Sequence, residues 1–214
     1  MDEDMKEAAV LQRVKHGYTT GARSLASRSI VGLAGTRVTP NALTAAGVSL
    51  CLAASVVVFF ENRNEWLFYW AGAALFVVGS ILDILDGALA RTSGKGTPFG
   101  AFLDSTTDRV SEGVVLGVIA LVFARHRDLV GVGLAFAAVA GSFLVSYTRA
   151  RAEALGLRGD VGIGSRAERV VVITAGLVLA PWGVLPIAIY LLAATAWITV
   201  VQRIFFVRKQ LRDR

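Results

Sequence analysis

Residues 83–108 read DILDGALARTSGKGTPFGAFLDSTTD, and the rest of the chain is organised around them. This stretch sets four carboxylates, Asp83, Asp86, Asp104 and Asp108, beside segments that are otherwise apolar enough for a membrane. Ionisable side chains next to hydrocarbon are costly, so such a group marks function by default. Asp83 and Asp86 are three apart and share a helix face, and Asp104 and Asp108, four apart, share a face of the next helix. Between them Arg91 to Phe99 is a polar hairpin bearing glycine and proline. The spacing therefore predicts two antiparallel helices pointing two carboxylates each into one pocket. Four acids with no matching number of bases require cations, and oxygen-only ligands favour Mg²⁺ or Mn²⁺ over zinc. Ordinary helix-end charges would explain one or two of these acids but not two facing pairs.

The spacing Asp83-x2-Asp86-Gly87-x2-Ala90-Arg91-x8-Gly100-x3-Asp104-x3-Asp108 resembles, without departure, the signature of the CDP-alcohol phosphotransferases. The resemblance implies an integral-membrane enzyme that displaces CMP from a CDP-alcohol with the hydroxyl of a second alcohol. It implies two metal ions, Mg²⁺ with Mn²⁺ as a possible substitute, held by Asp83, Asp86, Asp104 and Asp108, and a homodimer. Asn41, Thr44, Gly87, Arg91 and Thr97 match positions that hold the CDP-diacylglycerol donor. Physical chemistry agrees for two of these: Gly87 lets a phosphate or ribose approach the backbone, and Arg91 can meet a phosphate. Asn41 and Thr44 read equally well as a helix cap and a helix-surface hydroxyl.

Composition places the whole chain in the bilayer. Of 214 residues 55% are hydrophobic and the mean hydropathy is +0.61, too apolar for an ordinary soluble domain. The net charge of +6 could suggest nucleic acid, but the distribution of the basic residues points to a membrane surface instead. Cys51 is the only cysteine, so no intrachain disulfide forms and a zinc site is disfavoured. Residues 1–17 lack the apolar region of a signal peptide.

The expected fold is an all-α integral membrane protein with six transmembrane helices plus an N-terminal interfacial amphipathic helix. In residues 1–36, Val10, Val14, Tyr18, Ala22 and Leu25 recur at helical spacing among basic residues, giving one apolar and one basic face. Residues 37–214 form the membrane domain. Thr39-Pro40-Asn41 starts its first span, residues 42–60, which carry no charge. Further spans are expected over 66–82, 102–124 and 129–148. The uncharged run 170–202 is broken by APWGVLP at 180–186 and supplies two more. The Lys/Arg bias orients them. With both termini cytoplasmic, only Arg63, Arg125 and Arg127 of the 22 basic residues fall outside, so the motif faces the cytoplasm at the plasma membrane.

Residues 146–169, SYTRARAEALGLRGDVGIGSRAER, crowd arginines on the same side as the acids. Ser146, Arg149, Arg151, Arg169 and Arg203 as a set would suit a phosphate, because guanidinium forks bind its oxygens in pairs. Any single arginine here reads as easily as binding anionic lipid. The stretch is similar to the actinobacterial phosphatidylinositol phosphate synthases. That likeness implies inositol phosphate as the acceptor, held by these five residues, and CDP-diacylglycerol as the donor. Asp108, at the edge of the metal group, would take the proton from the attacking hydroxyl. Glu112, one turn beyond, is expected to pair with Arg109 or a neighbouring arginine, and His126 to be solvated. Relatives using glycerol 3-phosphate, the phosphatidylglycerophosphate synthases, also need a phosphate pocket. A cation transporter would spread its acids through membrane depth, whereas these cluster at one end.

Overall fold

The structure is a computed structural model and describes residues 38–213. The interfacial helix expected within residues 1–36 lies outside the described residues. Six α-helices follow in chain order: α1 Pro40–Phe59, α2 Glu65–Ser93, α3 Pro98–Arg125, α4 Leu129–Ala154, α5 Arg166–Val178 and α6 Leu185–Arg212. Short 3-10 turns, Glu61–Arg63 and Ala180–Trp182, sit in two of the connections.

The helix starts are written in the sequence. Thr39, Asn64, Thr97 and Asp128 each accept a hydrogen bond from a backbone N–H of the first turn, and Pro40 and Pro98 occupy first-turn positions where no N–H is needed. Ser165 and Glu168 form a reciprocal capping box at α5. α2 runs through Arg91 to Ser93 and ends at Gly94 in the left-handed conformation (φ 65°), so the polar hairpin shrinks to residues 94–97.

α1 packs against both α2 and α3, α4 bridges α3 and α6, and α5 lies between α2 and α6. α2 and α3, neighbours in sequence, touch only sparsely because α1 stands between them. The α1–α2 contact is backbone on backbone. A Cβ on Gly79 would lie 2.7 Å from the Gly47 carbonyl oxygen and 2.8 Å from Cys51 Sγ. Small residues at such crossings let membrane helices close in without a hydrophobic driving force.

The apolar core occupies one half of the bundle. Cys51, Ala54 and Val58 of α1 meet Tyr69 and Phe76 of α2, Leu116 and Ile119 of α3, and Ile189 and Leu192 of α6. These come from the half of each helix remote from the carboxylates. At the same remote end Glu61 is fully buried and accepts from Arg125 Nη1 (3.0 Å), with His126 Nε2 at 3.3 Å. His126, expected to be solvated, is half exposed on one side and tied to Glu61 on the other. Trp66 and Trp182 meet edge to face at 4.7 Å beside Trp70, whose indole donates to the Val178 carbonyl. Aromatic clusters of this kind sit at membrane–water boundaries.

Four helices, α1, α2, α4 and α6, are long and apolar enough to cross a membrane. The sequence expectation was six. α3 has the length but carries Asp104, Asp108, Arg109 and Glu112 between its start and its midpoint region. α5 has 13 residues, about 20 Å at 1.5 Å per residue, because Pro181 and Gly183 follow its end.

Candidate functional site

Of the four carboxylates that the spacing predicts in one pocket, three converge. One oxygen each from Asp83, Asp104 and Asp108 lies within 4.8 Å of the others. Asp83 and Asp86 are buried on α2, and Asp104 and Asp108 are half-buried on α3. Asp86 stands apart from the three. Its Oδ2 accepts the Thr44 hydroxyl, while its Oδ1 is buried with no hydrogen-bond partner among the described residues.

The arrangement calls for positive charge, and one protein group supplies it. Arg166, the first residue of α5, donates to Asp83 Oδ2 and places Nη2 2.6 Å from Asp108 Oδ1. A guanidinium seated among three acids shows what this spot accepts. The donor set is all carboxylate oxygen, and Asp86 holds a buried oxygen in need of a partner. Both fit a Mg²⁺- or Mn²⁺-type ion.

Two cavities open on either side of Asp104, which lines both. The smaller, of about 280 Å³, is walled by α1, α2, the hairpin and the start of α3. Asn41, Thr44, Gly87, Arg91 and Thr97 all line it, together with Asp86. Gly100 closes its floor: a Cβ there would come within 3.0 Å of Asn41 Oδ1 and 3.1 Å of Thr97 Oγ1.

The larger cavity, of about 590 Å³, is walled by α3, α4, the 155–165 loop, α5 and α6. Ser146, Arg149, Arg169 and Arg203 line it with Asp108 and Arg166. Arg151 does not; it is exposed outside the cavity. Successive helical residues turn by about 100°, so Arg149 and Arg151 point to nearly opposite sides of α4. Ser146, Arg149 and Glu153 instead form one stripe into the cavity.

The arginines differ in how far they are already bonded. Arg169 is buried against Glu112 through two bonds, Nε to Oε1 at 2.6 Å and Nη2 to Oε2 at 2.9 Å, and its Nη1 donates to the Gly164 carbonyl. Glu112 thus pairs across to α5 and not with Arg109, whose guanidinium turns back to the Ser105 carbonyl. Arg203, also buried, donates from Nε to the Val161 carbonyl (2.8 Å) and from Nη1 to that of Val145. Arg149 is exposed and, among the described residues, donates to Glu153 at 2.8 Å. On the loop Arg158 pairs with Asp160, whose carboxyl it holds below the usual carboxylate range.

Arg166 is the residue that sequence reasoning left out of the site. The signal was present: Ser165-x2-Glu168 is a capping box, which starts a helix at Arg166 and puts Arg166 and Arg169 three apart on one face.

The sequence model of the CDP-alcohol phosphatidyltransferases matches residues 37–208. An archaetidylinositol phosphate synthase from Pyrococcus horikoshii is 40% identical over 180 residues, which cover 84% of this chain and 88% of the relative. The crystal structure of Mycobacterium tuberculosis phosphatidylinositol phosphate synthase with CDP-DAG bound superposes with a TM-score of 0.75 at 34% identity, covering 86% of this chain and 94% of that one. The same enzyme in complex with manganese and citrate also gives 0.75, at 35% identity, covering 85% of this chain and 88% of that one. With its signature acids gathered between two cavities and its sequence matched from Arg37 to Arg208, the chain belongs to the CDP-alcohol phosphatidyltransferase family.

Proposed function

We propose that this protein is a phosphatidylinositol phosphate synthase, moving the phosphatidyl group of CDP-diacylglycerol to inositol phosphate with release of CMP. The observation that carries the reading is Asp104, shared by a small cavity lined with the nucleotide-matching residues and a larger one lined with arginines. Transfer requires donor and acceptor to meet at one point, and the acids stand at that point. The relatives support the acceptor: the archaeal and mycobacterial names differ in the lipid and share inositol phosphate.

Each residue then has a task. Asn41, Thr44, Gly87, Arg91 and Thr97 hold the CDP moiety, with Arg91 beside the pyrophosphate. Asp83, Asp86, Asp104 and Asp108 would hold two divalent ions, Mg²⁺ or Mn²⁺, whose charge offsets that of the pyrophosphate and the departing CMP. Ser146, Arg149 and Arg203 receive the phosphate already on inositol and so aim a free hydroxyl at the donor. Arg169 shapes this pocket from its ion pair with Glu112, and Arg151 stands outside the cavity wall. Asp108 lines the acceptor cavity and not the donor cavity, which suits it to take the proton of the attacking hydroxyl. That hydroxyl oxygen bonds to the β-phosphorus, the bond from that phosphorus to the CMP oxygen breaks, and the proton passes to Asp108.

The four apolar helices make this a membrane protein. We extend this to six membrane-crossing segments, with α3 and α5 shielded from lipid at their polar ends. Both termini and the site then face the cytoplasm, as the basic residues favour, and two copies form a homodimer.

The test is CMP release from CDP-diacylglycerol by purified protein with Mg²⁺, offering inositol phosphate, inositol and glycerol 3-phosphate separately. Release with inositol phosphate alone is the expected result. Release only with glycerol 3-phosphate overturns the acceptor assignment and keeps the family chemistry.

A further inference from the structure

The 155–165 loop, which forms one wall of the larger cavity, is laid along one face of α6 and fastened there at three points. Gly164 N–H donates to Thr199 Oγ1 at 2.9 Å, and Arg203 Nε donates to the Val161 carbonyl at 2.8 Å. The third fastening belongs to Gln210. Its carboxamide takes both backbone groups of Arg158, Oε1 accepting from N–H at 3.0 Å and Nε2 donating to the carbonyl at 2.9 Å. Thr199, Arg203 and Gln210 follow each other by four and seven residues, so they lie along one helix face.

The first fastening is steric as well as polar. Gly162 adopts φ 125°, and a Cβ there would collide with Thr199 Cγ2. The third is different in kind. Leu157 is buried and bonded back to Ala152, and Val161 is held by Arg203. Among the described residues, the backbone between them is tied to α6 at Gln210. That short segment contains two groups that matter to the cavity. Gly159 is buried against α4, where a Cβ would lie 3.1 Å from Arg149 Cα. Asp160 lines the cavity and is held by the side chain of Arg158.

We infer that Gln210 is a positioning residue for the acceptor: it latches Arg158 and thereby seats Gly159 against Arg149 and aims Asp160 into the cavity. It lines neither cavity, so its influence reaches the substrate only through the loop. It also lies past residue 208, where the match to the family model ends. The inference rests on the reading of the larger cavity as the acceptor site.

The experiment uses the full chain in detergent with Gln210→Met, which keeps the length of the side chain and removes both bonds, and Gln210→Ala. Each is measured three ways: KM for the acceptor that the wild type uses, KM for CDP-diacylglycerol with kcat, and amide exchange of the peptide containing Arg158. Losing two solvent-accessible hydrogen bonds should raise the acceptor KM about three- to tenfold. Donor KM and kcat should stay within about twofold. Exchange at Arg158 should accelerate, with α5 unchanged. An unchanged acceptor KM in folded Gln210→Met protein overturns the inference. So does a parallel loss of both KM values, kcat and Tm, which would mark Gln210 as a general stabiliser of the helix end. Activity with glycerol 3-phosphate alone would sink the acceptor assignment above, and the same KM split measured with that acceptor would still decide for or against the latch.

Discussion

The smaller cavity draws its lining from residues 40–104, whereas the larger draws on residues 104–203. The first joins the motif, residues 86–104, to the start of α1 at residues 40–44. The second is assembled from four helices and a loop that meet only in the fold. All five residues expected to hold the donor line the first cavity. In the second, Arg151 falls outside, Arg169 is bound to Glu112, and Arg166 enters without having been expected. One helix turn and one short hairpin fix where Asp86, Gly87, Arg91 and Thr97 point, while Asn41 and Thr44 are expected beside them from the family resemblance alone. In a dispersed site, an arginine's task depends on which partner reaches it first.

The sharpest way to break this comparison is at the residue both cavities share. Asp104→Asn should lower kcat by about a thousandfold, ~4 kcal/mol of barrier, because it removes a ligand, and lost outer-shell partners alone cost 10–100-fold. The loss should persist when Mg²⁺ or Mn²⁺ is raised to saturation. A variant restored to full rate by added metal would reduce Asp104 to an affinity determinant and would weaken the case for a shared centre.

Next in size is the distinction between structural and substrate-binding arginines. Arg169→Ala strands Glu112 in a buried position and should cost about 3 kcal/mol of stability, read as a lowered unfolding midpoint in detergent. The pair Arg169→Met with Glu112→Leu should recover most of that loss. If Arg169→Ala instead keeps its stability and loses only acceptor affinity, the arginine belongs to the substrate and the ion pair is incidental.

The smallest effect separates two arginines two residues apart. Arg149→Ala should raise the KM for the phosphorylated acceptor about tenfold, the worth of a charge-assisted hydrogen bond. Arg151→Ala should leave it within about twofold, with the donor KM unchanged in both. Equal effects would place Arg151 at the substrate and overturn the division drawn from the helix faces.

Several features of the fold were legible in advance for local reasons. Thr39-Pro40 starts a helix where the sequence put one, since a side-chain acceptor and a missing N–H suit a first turn; Thr97-Pro98 does the same for α3, four residues ahead of the span expected from 102. The apolar runs became α1, α2, α4 and α6. Their limits were less legible: α2 continues eleven residues past the expected end of its span, because Asp86 and Arg91 face a protein cavity, Asp83 is buried against Arg166, and none of them interrupts its backbone hydrogen bonds. The short reach of α5 follows from Pro181 and Gly183, within the break that the sequence already marks at 180–186.

What the sequence determined by itself was the chemistry: four carboxylates at helical spacing, set in apolar surroundings, require cations whatever the tertiary arrangement, since lone charges beside hydrocarbon are not tolerated. The tertiary structure alone decided how the basic residues divide their work. α1 inserts between α2 and α3 through the Gly47–Gly79 contact, α5 delivers Arg166 to Asp83 and Asp108, and α6 holds the loop beside Arg149. Sequence spacing cannot rank these partners, because a guanidinium takes whichever oxygens packing brings within about 3 Å, and packing joins residues more than fifty positions apart.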